Sequence, residues 1–277
     1  MNALQSVMHV LQRLWMAAAL SVAGAPAAWA IGGGENLKPE NYVHTGLLGL
    51  QVTFQGRSTT CTATMVNDGT VLTAASCFDG VPQGAQAAVT LVRGPDLNAP
   101  DAIRMEVPME QVVLHPEYRE SRGARRDFAV LKLRLRVPGT ARVHLPRPLA
   151  SFAADYYGFS GYGSDAVGFA GVLKKIFATK ADVDAAATAH GDYLVFRHAR
   201  GVGTCEGDAG GPVVVNFSDT LYLVGINAPV PAGDEKCPGR SRVLKLAPAI
   251  EWLQWLMQSD QAPPPDDPKV AGGGGKP

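Results

Sequence analysis

The chain has 277 residues, 25 basic and 25 acidic side chains, and no formal net charge. Hydrophobic residues make up 46% and charged residues 18%, enough apolar material for a buried core and too little charge for a disordered chain. Charge neutrality without any Lys/Arg run excludes the electrostatic footprint of a nucleic-acid binder, and the 31 glycines and 20 prolines follow no three-residue period, which excludes collagen and suits a turn-rich β chain.

The N-terminal residues read as an export signal. Residues 1–13 carry Arg13 and no acid, Leu14 to about Ala25 is an apolar run, and Ala28-Trp29-Ala30 places small residues where a signal peptidase reads. Cleavage is expected after Ala30. A membrane anchor is the competing reading, but Gly24 and Pro26 interrupt a run that would barely span. Export places Cys61, Cys77, Cys205 and Cys237 in an oxidising compartment, where an even set implies two disulfides with three possible connectivities. A zinc site fits poorly, since neither a C-x-x-C nor a close His pair accompanies them. No metal and no cofactor are expected.

The mature chain reads as all-β. Leu47–Phe54, Cys61–Val66, Val71–Ala75, Val89–Arg93, Val112–Leu114 and Phe128–Leu133 form a first group of short β-prone runs separated by turn residues. Tyr193–Arg197, Val213–Asn216, Leu221–Ile226 and Arg242–Leu246 form part of a second, and the spacing predicts antiparallel sandwiches or barrels, not βαβ units. Val137–Pro148, with three prolines, marks the crossing between two halves. Near the end, Pro248 suits a first helical turn, and Ala249, Trp252, Leu253, Leu256 and Met257 share one face that should pack against the second half. Residues 259–277, rich in Pro and Gly, read as a disordered tail.

Five segments in order carry a resemblance. Val71-Leu72-Thr73-Ala74-Ala75-Ser76-Cys77 is similar to V-L-T-A-A-H-C, Asp127-Phe128-Ala129-Val130-Leu131-Lys132-Leu133 to D-I-A-L-L-K-L, and Cys205-Glu206-Gly207-Asp208-Ala209-Gly210-Gly211-Pro212 to C-x-G-D-S-G-G-P. Ile31-Gly32-Gly33-Gly34 resembles the mature start I-V-G-G, and Phe159-Ser160-Gly161-Tyr162-Gly163 resembles V-S-G-W-G. Together they resemble the trypsin/chymotrypsin family of serine proteases over residues 31–258. The resemblance implies two antiparallel six-stranded β-barrels, a site in the cleft between them and a C-terminal helix.

Chemistry of that kind needs a Ser hydroxyl as nucleophile, an imidazole as base and a buried carboxylate that orients it. By the resemblance these roles fall on Ala209, Ser76 and Asp127. A methyl group forms no acyl-enzyme, and Ser76 has no proton acceptor with a pKa near neutrality. Loss of a triad member leaves roughly 10³–10⁴-fold over water, from binding and the oxyanion hole, so the resemblance points to a protease homologue without its chemistry. His44, His115, His144, His190 and His198 are each expected to be surface or core residues, with His115 in a surface loop.

The family pattern further implies that the amine freed at Ile31 pairs with Asp208, that the N–H groups of Gly207 and Ala209 form an oxyanion hole, and that the disulfides are Cys61–Cys77 and Cys205–Cys237. Gly203 falls at the pocket bottom, where no acid is present to favour Lys or Arg. Ala228-Pro229-Val230 occupies the substrate strand, with Pro229 unable to donate a hydrogen bond and Val230 bulky where glycine admits a peptide. Replacing imidazole by Ser76 is expected to leave a void beside Asp127, filled by a water bridging the two side chains. The expected function is binding of a peptide, inhibitor or protease partner, with no nucleic acid and no membrane span after signal removal. A hydrolase using unconventional residues and a purely structural envelope protein are the alternatives.

Overall fold

In the computed structural model, residues 31–38, 46–121, 126–134, 143–146, 154–164, 170–188, 192–218, 220–231 and 235–259 are described. The expected signal segment, most of the crossing at 137–148, the tail beyond Ser259, His44 and His190 lie outside them.

The sequence runs that alternate apolar and polar residues form strands as expected. In β2 (Leu47–Phe54), Leu48, Leu50 and Val52 point into the core, two residues apart as the pleat requires. With β3 (Arg57–Asn67), β4 (Thr70–Thr73), β5 (Ala88–Arg93), β6 (Ile103–Glu106), β7 (Val112–Leu114) and β8 (Ala129–Lys132) it builds an antiparallel sheet in the order β6-β5-β2-β3-β4-β8-β7. The two outermost strands, β6 and β7, are consecutive in the chain and separated only by residues 107–111. Pro108 has no N–H to give the ladder there, although Val107 N still donates to Val89 O at 2.9 Å. Counted as one interrupted strand, β6 and β7 close a six-stranded barrel.

The second sheet contains β1 (Glu35–Asn36), β9 (Tyr156–Gly161), β10 (Lys174–Thr179), β11 (Tyr193–Arg197), β12 (Pro212–Phe217), β13 (Thr220–Asn227) and β14 (Arg240–Lys245), in the order β1-β10-β9-β12-β13-β14-β11. Just past β10, Val183 bridges Phe196 of β11 and Asp184 N donates to Val195 O, which brings the edges of six strands together and leaves β1 as an added short edge. Phe159, Ile176, Phe196, Val213 and Val243 fill this barrel, with Ile31 among them. The chain is therefore mostly β, two curled antiparallel sheets with a short terminal helix.

Two expectations need correction. The terminal helix (Ile250–Gln258) buries Trp252, Leu253 and Leu256 as its spacing predicts, but it docks onto the first barrel as well as the second. Trp252 packs on His115 at 4.7 Å between ring centroids, and Lys132 of β8 donates to the helix-end carbonyls of Leu256 and Ser259. A cation at a helix C-terminus complements its dipole, so the end of this helix is tied to the first barrel. His115 is correspondingly not a surface residue. It is buried, it precedes the short helix Pro116–Glu120, and its Nδ1 accepts from Glu117 N at 3.2 Å.

Burial, reinforced by the charge of Arg126 and opposed by Asp192, lowers the His115 pKa to about 4. The unfolded chain takes up this proton near pH 6.5 and the folded chain only near 4, so acidification between those values favours unfolding. His115→Gln should remove that sensitivity: in denaturant titrations, the stability of the natural protein relative to the variant should fall by about 3 kcal/mol at most between pH 7 and pH 4.

Candidate functional site

The first barrel delivers Ser76 and Asp127 to the same point. Strand β4 runs into a single helical turn, Ala75–Phe78, which carries Ser76. This turn is pinned from behind by the disulfide between Cys77 and Cys61 of β3, and by Thr73 Oγ1 donating to Thr62 O at 2.8 Å. Asp127 lies just before β8, which pairs with β4, and is buried.

Both oxygens of the Asp127 carboxylate are taken by Ser76. The Ser76 backbone N–H donates to Oδ1 at 2.7 Å and its hydroxyl donates to Oδ2 at 2.9 Å. The expected water bridge is thus corrected: a serine hydroxyl is short enough for its own turn to bring it into direct contact, and no intermediary is needed between the two side chains. Burial raises the Asp127 pKa, the hydrogen bonds from Ser76 pull it down, and the nearby Asp79 charge pushes it up again. Asp79 itself accepts a 2.6 Å hydrogen bond from the Tyr118 hydroxyl.

The second barrel supplies the turn between Cys205 and β12. Ala209 is buried there, with its carbonyl accepting from Thr62 N at 2.9 Å. Gly210 fits so tightly against the first barrel that a Cβ would lie 2.2 Å from Thr73 Oγ1 and 2.7 Å from Ala74 N. The Ala209 turn and the Ser76 turn therefore meet at the barrel junction. Gly207 adopts φ +95°, a conformation open to glycine at little cost, and its carbonyl accepts from Thr62 Oγ1. Among the described residues, neither Gly207 N–H nor Ala209 N–H has an acceptor.

Asp208 is wholly buried between them. Its Oδ1 accepts from Gly163 N and its Oδ2 from Cys205 N, both at 2.8 Å. Burial pushes its carboxyl up to about 7, against the pull of these two donors and of the Lys174 charge. A Cβ on Gly161 would sit 2.1 Å from Oδ1, so the carboxylate occupies space that only a glycine leaves open. Ile31 is not among the described hydrogen-bond partners of Asp208. It is buried in the second-barrel core, its carbonyl accepting from Gly34 N, while Gly32 N donates to Cys205 Sγ.

Ala228, Pro229 and Val230 line a shallow recess, shared with Thr204, Pro231, Pro238, Arg240 and Arg242. Gly203 does not line it; a Cβ there would meet His198 and Ser241 instead. The two arginines were not singled out by sequence reasoning, although they stand two apart on one strand and so share a face. Arg242 lies over the Tyr193 ring at 4.4 Å. The cysteines form Cys61–Cys77 and Cys205–Cys237, the pairing implied by the resemblance, which leaves these thiols no zinc-binding role.

Among the described residues, a Ser–His pair lies away from Asp127. His198 Nε2 lies 3.0 Å from Ser241 Oγ, and the charge of Asp182 counters the lowering of the His198 pKa by burial. Ser241 is completely buried and also accepts from Thr204 N at 3.0 Å, so it braces the pocket wall and presents nothing to a substrate.

Two antiparallel barrels meeting where the Ser76 turn touches Asp127 and at a Cys205–Gly211 turn define the architecture of a chymotrypsin-like serine protease. The chain belongs to the trypsin family, whose pattern it matches over residues 40–253. It is 24% identical over 256 residues to the CLIP domain-containing serine protease B4 of Anopheles gambiae, covering 80% of this chain and 69% of that protein. It is also 26% identical over 222 residues to Melanization protease 1 of Drosophila melanogaster, covering 65% of this chain and 54% of that protein, so it spans only about half of the latter.

Ser76→Ala deletes the side-chain donor to Asp127 Oδ2 and leaves the backbone donors in place. The variant should lose about 1–3 kcal/mol of stability, the cost of an unsatisfied buried acceptor. The Asp127 pKa should rise further; carboxyl NMR titration reads the shift directly.

Proposed function

We propose that this protein is a secreted, non-catalytic member of the trypsin family that acts by binding a protein or peptide partner. The observation that carries this reading is the occupation of both Asp127 oxygens by Ser76. The orienting carboxylate is satisfied by a group that cannot take a proton at neutral pH. Ala209 supplies no nucleophile in the turn facing it. The His198–Ser241 pair is closed off by the burial of Ser241. Export rests on the sequence of residues 1–30, with removal after Ala30. Two disulfides accord with that compartment, and among the described residues no helix is long and apolar enough to cross a membrane.

The binding part rests on what the cleft keeps. The Gly207 and Ala209 N–H groups have no acceptor among the described residues and suit a carbonyl or carboxylate oxygen. The recess at Ala228–Val230 is lined by Arg240 and Arg242 and, among the described residues, by no acid, which disfavours a Lys or Arg side chain. Pro229 withdraws one donor from the strand that an extended peptide would join. The relatives are named as serine proteases, one of them a melanization protease. An active protease, or the inhibitor of one, is accordingly the partner class we favour. The residues 259–277 serve in this reading as a linker.

The test is incubation of the purified mature protein with a diverse peptide mixture, read by mass spectrometry, beside the Ser76→His/Ala209→Ser double variant. The natural protein should leave every peptide intact. Cleavage that copurifies with it would refute the proposal, and cleavage by the double variant alone would show that the cleft still admits a chain.

A further inference from the structure

The β11–β14 pair gathers positive charge on one face. Tyr193, Val195 and Arg197 of β11 stand opposite Leu244, Arg242 and Arg240 of β14, and residues so paired share a face of the sheet. Arg197 and Arg240 are direct partners in this ladder, a placement in which like charges repel. Asp184 answers Arg197 from outside the ladder, with an ion pair at 2.7 Å.

Arg242 has no such answer. Among the described residues, no carboxylate lies within ion-pair distance of its guanidinium. It is half-buried, it lies over the Tyr193 ring at 4.4 Å from the centroid, and it lines the recess at Ala228–Val230. Stacking on an aromatic ring fixes the plane of a guanidinium and leaves its N–H fork to an anion. Two acids act on the same ring, Asp127 and Asp192, but Ser76 holds the first and Arg126 the second. Within the recess, Pro229, Pro231 and Pro238 have no N–H to offer. Arg240, exposed and with a contact of its own, adds its charge at the rim. A half-buried cation with no fixed counter-charge is a cost to the fold that a bound anion would repay.

We propose that this recess takes the carboxylate of an Asp or Glu side chain on the bound partner, and that Arg242 is the residue that selects it. The inference rests on the binding role proposed above and adds the chemistry of the contact. A partner segment lying along Ala228–Val230 sets one acidic side chain on the Arg242 guanidinium, as a charge-assisted pair. A carboxylate needs little room, which suits a shallow recess. Gly203 does not line it, so this is not the pocket whose bottom the family resemblance places at that residue.

The test uses two capped hexapeptides, identical but for a central Glu or Gln, titrated into the purified mature protein and followed by NMR. The Glu peptide should bind about tenfold more tightly than the Gln peptide and should shift the Arg242 side-chain N–H signal. Arg242→Gln should bring the two peptides within about twofold of each other. Should that variant not fold, the Arg242 signal of the natural protein carries the test, since it should move with the Glu peptide and not with the Gln peptide. Equal affinities, no binding of the Glu peptide at millimolar concentration, or a Glu preference that survives Arg242→Gln would overturn the proposal. So would sodium acetate that reproduces the Glu peptide's shifts at the same concentration. Cleavage of either peptide would instead refute the non-catalytic reading, and the Glu preference would then be read from the two cleavage rates.

Discussion

The burial of the Asp208 carboxylate is the constraint around which the barrel junction is built. Removing a charged group from water obliges the surrounding chain to replace every interaction that water supplied. Several otherwise unrelated residues answer to that demand. Gly161 and Gly163 leave the space, Gly163 and Cys205 supply N–H donors, and the Cys205–Cys237 bridge holds one of those donors in place. Gly207 takes its positive φ on one side and Gly210 its tight seat against Thr73 on the other. A turn determined from so many directions keeps its shape when a side chain that projects from it is changed. That explains how Ala209 can stand at the nucleophile position without disturbing the architecture.

Asp127 poses the same problem with a different answer. In a working triad a buried carboxylate orients an imidazole, which then cycles its proton. Here the serine that replaces the imidazole is held by its own one-turn helix against both oxygens. The arrangement satisfies the carboxylate completely and ends there, because a serine hydroxyl has no proton affinity to offer at neutral pH. In the function proposed above, the groups that shape the cleft are kept and those that would move protons are not, and this is the physical content behind the proposed binding role.

Much of this was legible in the sequence. The alternation of β2, the motif around Ser76 and the Cys205–Pro212 segment located the barrels, the junction and both disulfides. What resisted reading shares one cause, that tertiary packing overrides local pattern. Strand β10 carries a lysine on its buried face and Phe177, 64% exposed, on its outer one, the reverse of an amphipathic strand. Strand β9 is thinned by Gly158 and Gly161, whose absent side chains make room for neighbours that only the fold reveals. The water expected beside Asp127 failed for a related reason, since sequence gives the volume lost from imidazole to serine but not the reach of the turn that carries it. His115 looked like a loop residue because its partner, Trp252, is distant in sequence and arrives only when the terminal helix docks.

The central claim is that no hydroxyl in this cleft is activated. It is tested most directly by treating the purified mature protein with a fluorophosphonate, which reports an activated serine irrespective of substrate preference, and measuring its intact mass. The account predicts an unmodified chain under conditions that fully label an active trypsin-family enzyme. A stoichiometric adduct on Ser76, Ser241 or any other serine would contradict it.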